Sequence, residues 1–573
     1  MAFPQKTSLP VALDSRSKQD ISCKHVTTTN FMQFNVAYAN ELVPGQQINF
    51  HHELFTRLEP LTLPTFGEAT IRNHAFWVPY RTIFPGWNDF YNDTPHIYSG
   101  GYLTNITTAP FITNSNFIGF LTNSEIATQV SNAVAYDFKT ERSAYNFTPL
   151  GRLAYKILRT LGYSPTFNLS DDSPHCALPL LALMRVYHDW FYPSQYANDE
   201  LSTFIGKFFT DNNEYLLRSI MSSADLIKVF KCITRLAYDE SYFTSAWDNP
   251  NSPNDGLSSN MEFIDITGYG SVKNFEGPTQ QITPTYQNGG ITEYGLTALK
   301  ALSDYMKRNQ ISGSRAMDRY YSRFGMKLTS EQLNRSVLIN TYSQPLKFGD
   351  VTSTAETTGA SLGSYAGKGI SYGTNSYEVD TNKEMGMFIV ISSVIPHLDY
   401  YQGAQRYTQH LSKTDFYTPE FDALGCQAIS KAEVYVPMDG TTHSADYSNQ
   451  VFGFTSRYAE YKVGKSLMTG DYILGSRNIG KAAWTLFRDL SHIYDSVGAD
   501  NFTHSYDFIT STDADQYQRI FSNLNFGDDQ FNLIHDFKID SSFPGKSLFD
   551  TYEFENENHK NRVTVDINGT TIN

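Results

Sequence analysis

Four places in the sequence carry residue types that could do chemistry. The segment Gly363-Ser364-Tyr365-Ala366-Gly367-Lys368-Gly369 comes closest to a phosphate-binding loop. Such a loop needs G-x-x-x-x-G-K followed by a hydroxyl residue for the magnesium. Here the glycines are one residue too close, and Gly369 stands where the hydroxyl belongs, so a flexible glycine loop is expected. His51-His52-Glu53 offers metal-ligand types. Neighbours on a strand point to opposite faces, so the two imidazoles cannot share one ion. Asp171-Asp172 and Asp528-Asp529 are acid pairs of the kind a hydrolase uses, but both sit in polar surroundings where adjacent acids are ordinary loop residues. Cys23, Cys176, Cys232 and Cys426 are widely spaced and form no C-x-x-C pair. Free thiols of a reducing compartment are expected, not a zinc site or a disulfide framework. No H-E-x-x-H occurs. The expectation is therefore no catalytic residue, no cofactor and no metal.

The elements that would position any such residue read mostly as strands. Ile48, Phe50, Leu54 and Leu58 share one parity, with Asn49, His51, Glu53 and Arg57 on the other. This period of two marks a half-buried strand. A second strand is expected from Ala69 to Val78, then Met387–Val394, Ala432–Val436 and Phe452–Val463. The run Met387–Ile391 is continuously apolar, as a strand covered on both faces would be. Leu180, Leu183, Met184, Tyr187 and Phe191 keep helical spacing after Pro179; Leu216–Leu236 and Leu296–Met306 also read as helical. These helices are scattered between strands rather than alternating with them, which argues against a doubly wound or TIM-barrel chain.

The composition suits a folded chain that makes large contacts. Of 573 residues, 38 are Tyr and 40 are Phe, while the charged fraction is only 18%. Aromatic residues favour strands and supply contact area at interfaces. The net charge of −15 excludes a dedicated nucleic-acid binder, which is normally basic. No run of about 18 apolar residues suggests a membrane span, and the first residues lack the apolar core of a signal peptide. Residues 1–30 read as an extended arm that holds Lys6, Arg16, Lys18 and Lys24. The rest, 31–573, reads as one domain with polar insertions at about 92–146, 249–290 and 439–450. Loops this long are usually functional. Two classes fit: a capsid or other assembly protein, and a secreted or periplasmic β-sandwich that binds glycans.

Particular strings separate them. Phe55-Thr56-Arg57-Leu58-Glu59-Pro60-Leu61, Pro64-Thr65-Phe66-Gly67 and Asn73-His74-Ala75-Phe76-Trp77-Val78-Pro79-Tyr80-Arg81 come first. Phe84-Pro85-Gly86-Trp87-Asn88-Asp89-Phe90, His188-Asp189-Trp190-Phe191 and Tyr242-Phe243-Thr244-Ser245-Ala246 follow. Then come Arg319-Tyr320, Phe324-Gly325, the glycine-rich Leu362–Gly373, Tyr401-Gln402-Gly403, Asp415-Phe416-Tyr417, Leu424-Gly425 and Arg457–Tyr461. In this order, from about Phe55 to Tyr461, they resemble the major capsid protein of the microviruses, most of all the gokushovirus-like branch. Tyr192 and Thr418 depart from that pattern, and little after about Asp489 matches it.

The resemblance implies an all-β fold, an eight-stranded antiparallel jelly roll with long loop insertions and a few helices. It implies a homo-oligomer, sixty copies assembled through pentamers into a T=1 shell around circular single-stranded DNA. It also implies a separate small basic DNA-packaging protein, a bacterial surface receptor, and assembly in the host cytoplasm. On this reading Lys6, Arg16, Lys18 and Lys24 face the DNA. The loop 249–290, with Tyr269, Phe275 and Tyr286 among polar residues, contacts the host.

Overall fold

The computed structural model describes residues 16–544 apart from gaps, the longest being 130–144, 194–221, 249–299, 305–319, 353–364 and 437–446, together with 564–565 and 571–572. Its strands of five or more residues are β1 (Arg16–Asp20), β2 (Cys23–Thr29), β3 (Asn35–Leu42), β4 (Gln47–Leu58), β5 (Ala69–Pro79), β6 (Val337–Thr352), β7 (Tyr365–Asp380), β8 (Gly386–Pro396), β9 (Cys426–Ser430), β10 (Val451–Ser456) and β11 (Phe531–Pro544). The chain is mostly β, with few helices. One large antiparallel sheet has the order β1/β2, β11, β4, β7, β6, β5, β8, β3. β1 and β2 pair with β11 in one unbroken register, from Arg16 opposite Pro544 to Thr29 opposite Phe531, so together they make a single lane. Eight lanes result.

The sheet curls until its two wings face each other. Phe50 on β4 meets Phe388 on β8 with ring centroids 5.2 Å apart, although β7, β6 and β5 lie between them in the sheet. Tyr38 on β3 reaches Phe537 on β11 at 5.1 Å, and those lanes belong to opposite ends. The alternation in β4 aims Ile48, Phe50, Leu54 and Leu58 inward, and all four are buried. Ile48 and Phe50 form an inner cluster with Trp77, Val379, Val390 and Ile539, whereas Leu54 and Leu58 pack with the larger core.

The outer face of β3, β5 and β8 is covered by helices, and here the larger core lies. α1 (Asn114–Leu121), α2 (Pro149–Thr160), α3 (Leu178–Val186) and α4 (Ser223–Ile233) contribute to it. α3 packs on β5 and β8, and α2 packs on β3. This explains the run Met387–Ile391. Phe388 and Val390 enter the inner cluster, while Met387, Ile389 and Ile391 join the helix-covered one. The expected helix after Pro179 runs through α3 into a π-helical turn, Tyr187–Phe191. Asp189 in that turn takes hydrogen bonds from Arg185 Nε, Ser336 N and Ser336 Oγ, each 2.9 Å, and so ties α3 to the start of β6.

Several expectations are corrected. Ala432–Val436 is not a strand. Lys431–Val434 forms one helical turn, α5, closed by a reciprocal cap in which the Ser430 hydroxyl accepts from Glu433 N and the Glu433 carboxylate from Ser430 N. The strand expected over Phe452–Val463 ends at Ser456, because Tyr458 turns left-handed at φ +61°. The described part of the glycine-rich segment is strand β7 rather than a flexible loop. Its glycines serve close approach: a methyl at Gly369 would overlap Leu58, and one at Gly373 would overlap Tyr342 and Gln344. Of the stretch read as an arm, residues 16–29 form the edge lane and 1–15 lie outside the described residues. Within the insertion 92–146, residues 114–121 form α1, capped by the Thr113 hydroxyl and buried through Phe117 and Phe120.

Candidate assembly surface

The residues that looked able to do chemistry are used for structure. His51 and His52 point to opposite faces of β4. His51 Nε2 lies 3.1 Å from Glu53, while His52 Nε2 lies 3.0 Å from His535 Nδ1 inside the sheet. His25 stacks on His535, and its Nδ1 donates to the Ala37 carbonyl at 2.9 Å, bridging β2 to β3 across the seam. Burial, with His51 nearby, pushes His52 down to about 4, and burial with His52 and His25 nearby pushes His535 well below the usual imidazole range. Asp529 accepts from Lys156 Nζ at 2.9 Å and anchors α2 to the sheet; Asp171, Asp172 and Asp528 lie outside the described residues. Gly369-Ile370-Ser371-Tyr372-Gly373 has the spacing of a nucleophile elbow. It runs along β7, however, where Ser371 is buried and donates to the Pro345 carbonyl at 2.9 Å. All four cysteines are free. Among the described residues no cluster could hold a metal ion, and no helix is long and apolar enough to cross a membrane.

What the surface does display is exposed apolar side chains. Tyr407, Leu411, Phe416, Tyr417 and Phe421 stand out from one knob, residues 405–422, with Tyr461 beside them. Leu411 is 92% exposed and Tyr407 is 72% exposed, values that a solitary globule has no reason to keep. The knob rests on a buried ionic base. Arg406 Nη1 donates to Glu433 at 2.7 Å, Lys465 Nζ lies 3.9 Å from the same fully buried carboxylate, and Arg406 Nε lies 3.7 Å from Glu460. Burial opposes the Arg406 charge, but Glu433, Tyr242 and Glu460 outweigh it and the net shift is upward. Burial pushes Lys465 down, and Glu433 only partly offsets this. Tyr458 locks the knob from below: its hydroxyl donates to the Phe416 carbonyl at 3.2 Å and accepts from Thr418 N at 3.3 Å. An apolar surface held rigid in this way loses little conformational entropy when it docks.

The sequence matches the family described as Capsid protein (F protein) over residues 8–148 and 278–485. The chain belongs to this phage capsid family. Two curated relatives agree. Capsid protein VP1 of Chlamydia phage 1 is 22% identical over 515 residues, covering 81% of this chain and 85% of the relative. Capsid protein VP1 of Bdellovibrio phage phiMH2K is 21% identical over 511 residues, covering 81% and 84%. The resemblance drawn from short strings is thus confirmed over most of the chain, and with it the all-β capsid fold. As a capsid protein the chain has a structural role in the virion.

The structure places three of the expected DNA-facing residues along one face. Arg16, Lys18 and Lys24 are exposed on one face of the β1/β2 lane, opposite Pro544, Ser542 and Asp536 of β11. Lys6 lies outside the described residues, as do Tyr269, Phe275 and Tyr286 and the whole segment 249–290. The knob did not stand out in the sequence as a contact surface. Its one signal was Asp415-Phe416-Tyr417 followed by Pro419 and Phe421, aromatic residues in a turn-rich stretch with no strand or helix to bury them.

Proposed function

We propose that this chain is the major subunit of a T=1 shell, sixty copies assembled through pentamers around circular single-stranded DNA. The exposed knob on its rigid ionic base carries the reading: an apolar surface of this kind suits repeated heterologous contact between copies, which closes by rotation into rings and then a shell. Sixty chains would carry on the order of −900 formal charges, so DNA must be neutralised by other means. A separate small basic protein on the inner wall would do this, with Lys6, Arg16, Lys18 and Lys24 adding modestly from the inward side. The loop 249–290, through Tyr269, Phe275 and Tyr286, would meet a bacterial surface receptor, and assembly would take place in the host cytoplasm. Velocity sedimentation tests the shell. The expressed chain should form particles of megadalton mass, and Leu411→Asp with Tyr407→Asp should leave folded small species. Particles that form normally from the double variant would remove the knob from assembly. Replacing 249–290 by a Gly/Ser linker should give DNA-filled particles that fail to adsorb; normal adsorption would refute the host-contact role.

A further inference from the structure

The inside of the curled sheet is apolar at both ends and polar between them. On four strands the inward-facing residues pass from the inner cluster to the larger core at one polar residue. His52 stands between Phe50 and Leu54 on β4, Asn73 between Ala75 and Ile71 on β5, Ser392 between Val390 and Val394 on β8, and His535 between Phe537 and Leu533 on β11. All four are buried. Register joins them into a ring. Ser392 pairs with Asn35 on β3 and with Asn73, Asn73 pairs with Tyr342 on β6, and Asn375 on β7 pairs with His52. Asn375 Nδ2 donates to Asn340 Oδ1 of β6 at 2.7 Å, and His52 meets His535 at 3.0 Å.

The ring leaves hydrogen bonds unmade within the protein. Asn73 Nδ2 and Oδ1, Asn35 Nδ2, Ser392 Oγ and His535 Nε2 are buried without a partner among the described residues, as are Thr56 Oγ1 and Gln344 Nε2 beside them. A buried polar atom without a bond carries its full desolvation penalty, so folded proteins pair nearly all of them, through ordered water where side chains do not reach. A small cavity lies within the ring, lined by His52, Asn73, Tyr342 and Asn375, with Asn340 beside them. It has about 10 Å³ of room for a water, enough for one molecule. The groups around it offer both roles. Asn73 has a free donor and a free acceptor, the Tyr342 hydroxyl donates to Gln344 Oε1 at 3.1 Å and can still accept, and Asn340 Oδ1 keeps a second lone pair. A metal cation suits the cavity poorly, because three of the four unpaired amide atoms are donors and no carboxylate is among the described lining residues. An anion suits it poorly too, because no Lys or Arg is among them.

We propose that this ring is a binding site for ordered water, with one molecule held in the cavity by Asn73, Tyr342 and Asn340, and that water joins the two wings of the sheet at this level. The unpaired atoms lie on both wings: Asn35, Asn73 and Ser392 on β3, β5 and β8, and Thr56 and His535 on β4 and β11. On one side of the ring the wings meet through dry contact, as Phe50 does with Phe388. The hydrated layer also sets the strands lengthwise. A slip of two residues keeps a strand's inward face but carries its ring residue into an apolar cluster, where water cannot reach it.

Two measurements on the full-length chain test this. A density map at about 2 Å should show a peak about 2.7–3.2 Å from the Asn73 amide and from a polar atom of at least one other strand. An empty cavity, or an Asn73 amide bonded directly to another side chain, overturns the proposal. So does a peak ringed only by oxygens at about 2.3–2.6 Å, which would be a cation. The second measurement is the sign of a stability change. In a dry ring, Asn73→Leu replaces an unpaired amide by an apolar side chain of similar size and should raise the urea midpoint. In a hydrated ring it strips the water of a partner, and the unfolding equilibrium constant should rise about 5- to 100-fold. Ser392→Ala makes a smaller change, for which the expected rise is about 2- to 10-fold. It keeps the test open if Asn73→Leu does not fold. A midpoint that is unchanged or raised in Ser392→Ala, or raised in Asn73→Leu, overturns the proposal.

Discussion

Phe50→Ala is expected to destabilise the curled sheet by about 4–5 kcal/mol. Truncation of a buried Phe costs about 3–5 kcal/mol, depending on how far the surroundings collapse into the cavity. Here they can collapse little. Phe50 is 1% exposed and touches Tyr38, Tyr377, Phe388 and Phe537 with ring centroids 5.2–5.4 Å apart. Those rings come from four different strands whose positions are set by hydrogen-bonded ladders. The upper part of the range follows. Urea unfolding of the unassembled chain, followed by tryptophan fluorescence, to which Trp77 in the same cluster contributes, measures it. A double-mutant cycle with Phe388→Ala isolates the contact that closes the curl, and a coupling of about 1 kcal/mol is expected for such an aromatic pair. Losses that simply add, or a Phe50→Ala loss under 2 kcal/mol, would show that the two wings do not face each other.

Other expectations follow from the same geometry. Glu433→Ala leaves Arg406 and Lys465 without their buried counter-charge and should cost about 3–5 kcal/mol, with early proteolysis inside 405–422; Glu433→Gln should cost less, and equal stability of Glu433→Ala and the parent would refute the ionic base. Gly403→Ala places a methyl against the Glu433 backbone carbonyl, so the melting temperature should fall, and an unchanged melt would refute the close approach. Acid should weaken the fold through the histidine stack. Folded His52 is held to about 4, whereas an unfolded imidazole titrates near 6.5. Below pH 6.5 the unfolded chain binds protons that the folded chain refuses, so stability is full above about 6.5 and falls toward pH 4, by about 3 kcal/mol for His52 alone. A urea midpoint that stays level or rises between pH 6.5 and 4.5 would contradict this.

Much was legible in the sequence because its signals are local. The period of two in β4 and the two-sided apolar run in β8 each report which faces are buried, and neighbouring residues alone encode that. The colinear strings from Phe55 to Tyr461 did the same for the family. Local signals failed where the deciding contact is remote or the element is very short. Gly369 and Gly373 read as a loop until Leu58, Tyr342 and Gln344 are seen crossing above them. Lys431–Val434 is a single turn held by a cap, too short to show a period. The basic residues at the start of the chain looked like an arm because their partner strand, β11, lies near the other end; Thr28 and Asp529, which bond each other, are 501 positions apart. β11 also explains the unmatched C-terminal stretch, since it fills the lane between β1/β2 and β4. The ring through Asn73, Ser392, His52 and His535 exists only through the register of strands drawn from both ends and the middle of the chain. A strand's own residues decide which of its faces is apolar. Which strand lies beside it, and in what register, is decided by contacts between residues far apart in the chain, and only the tertiary structure contains those.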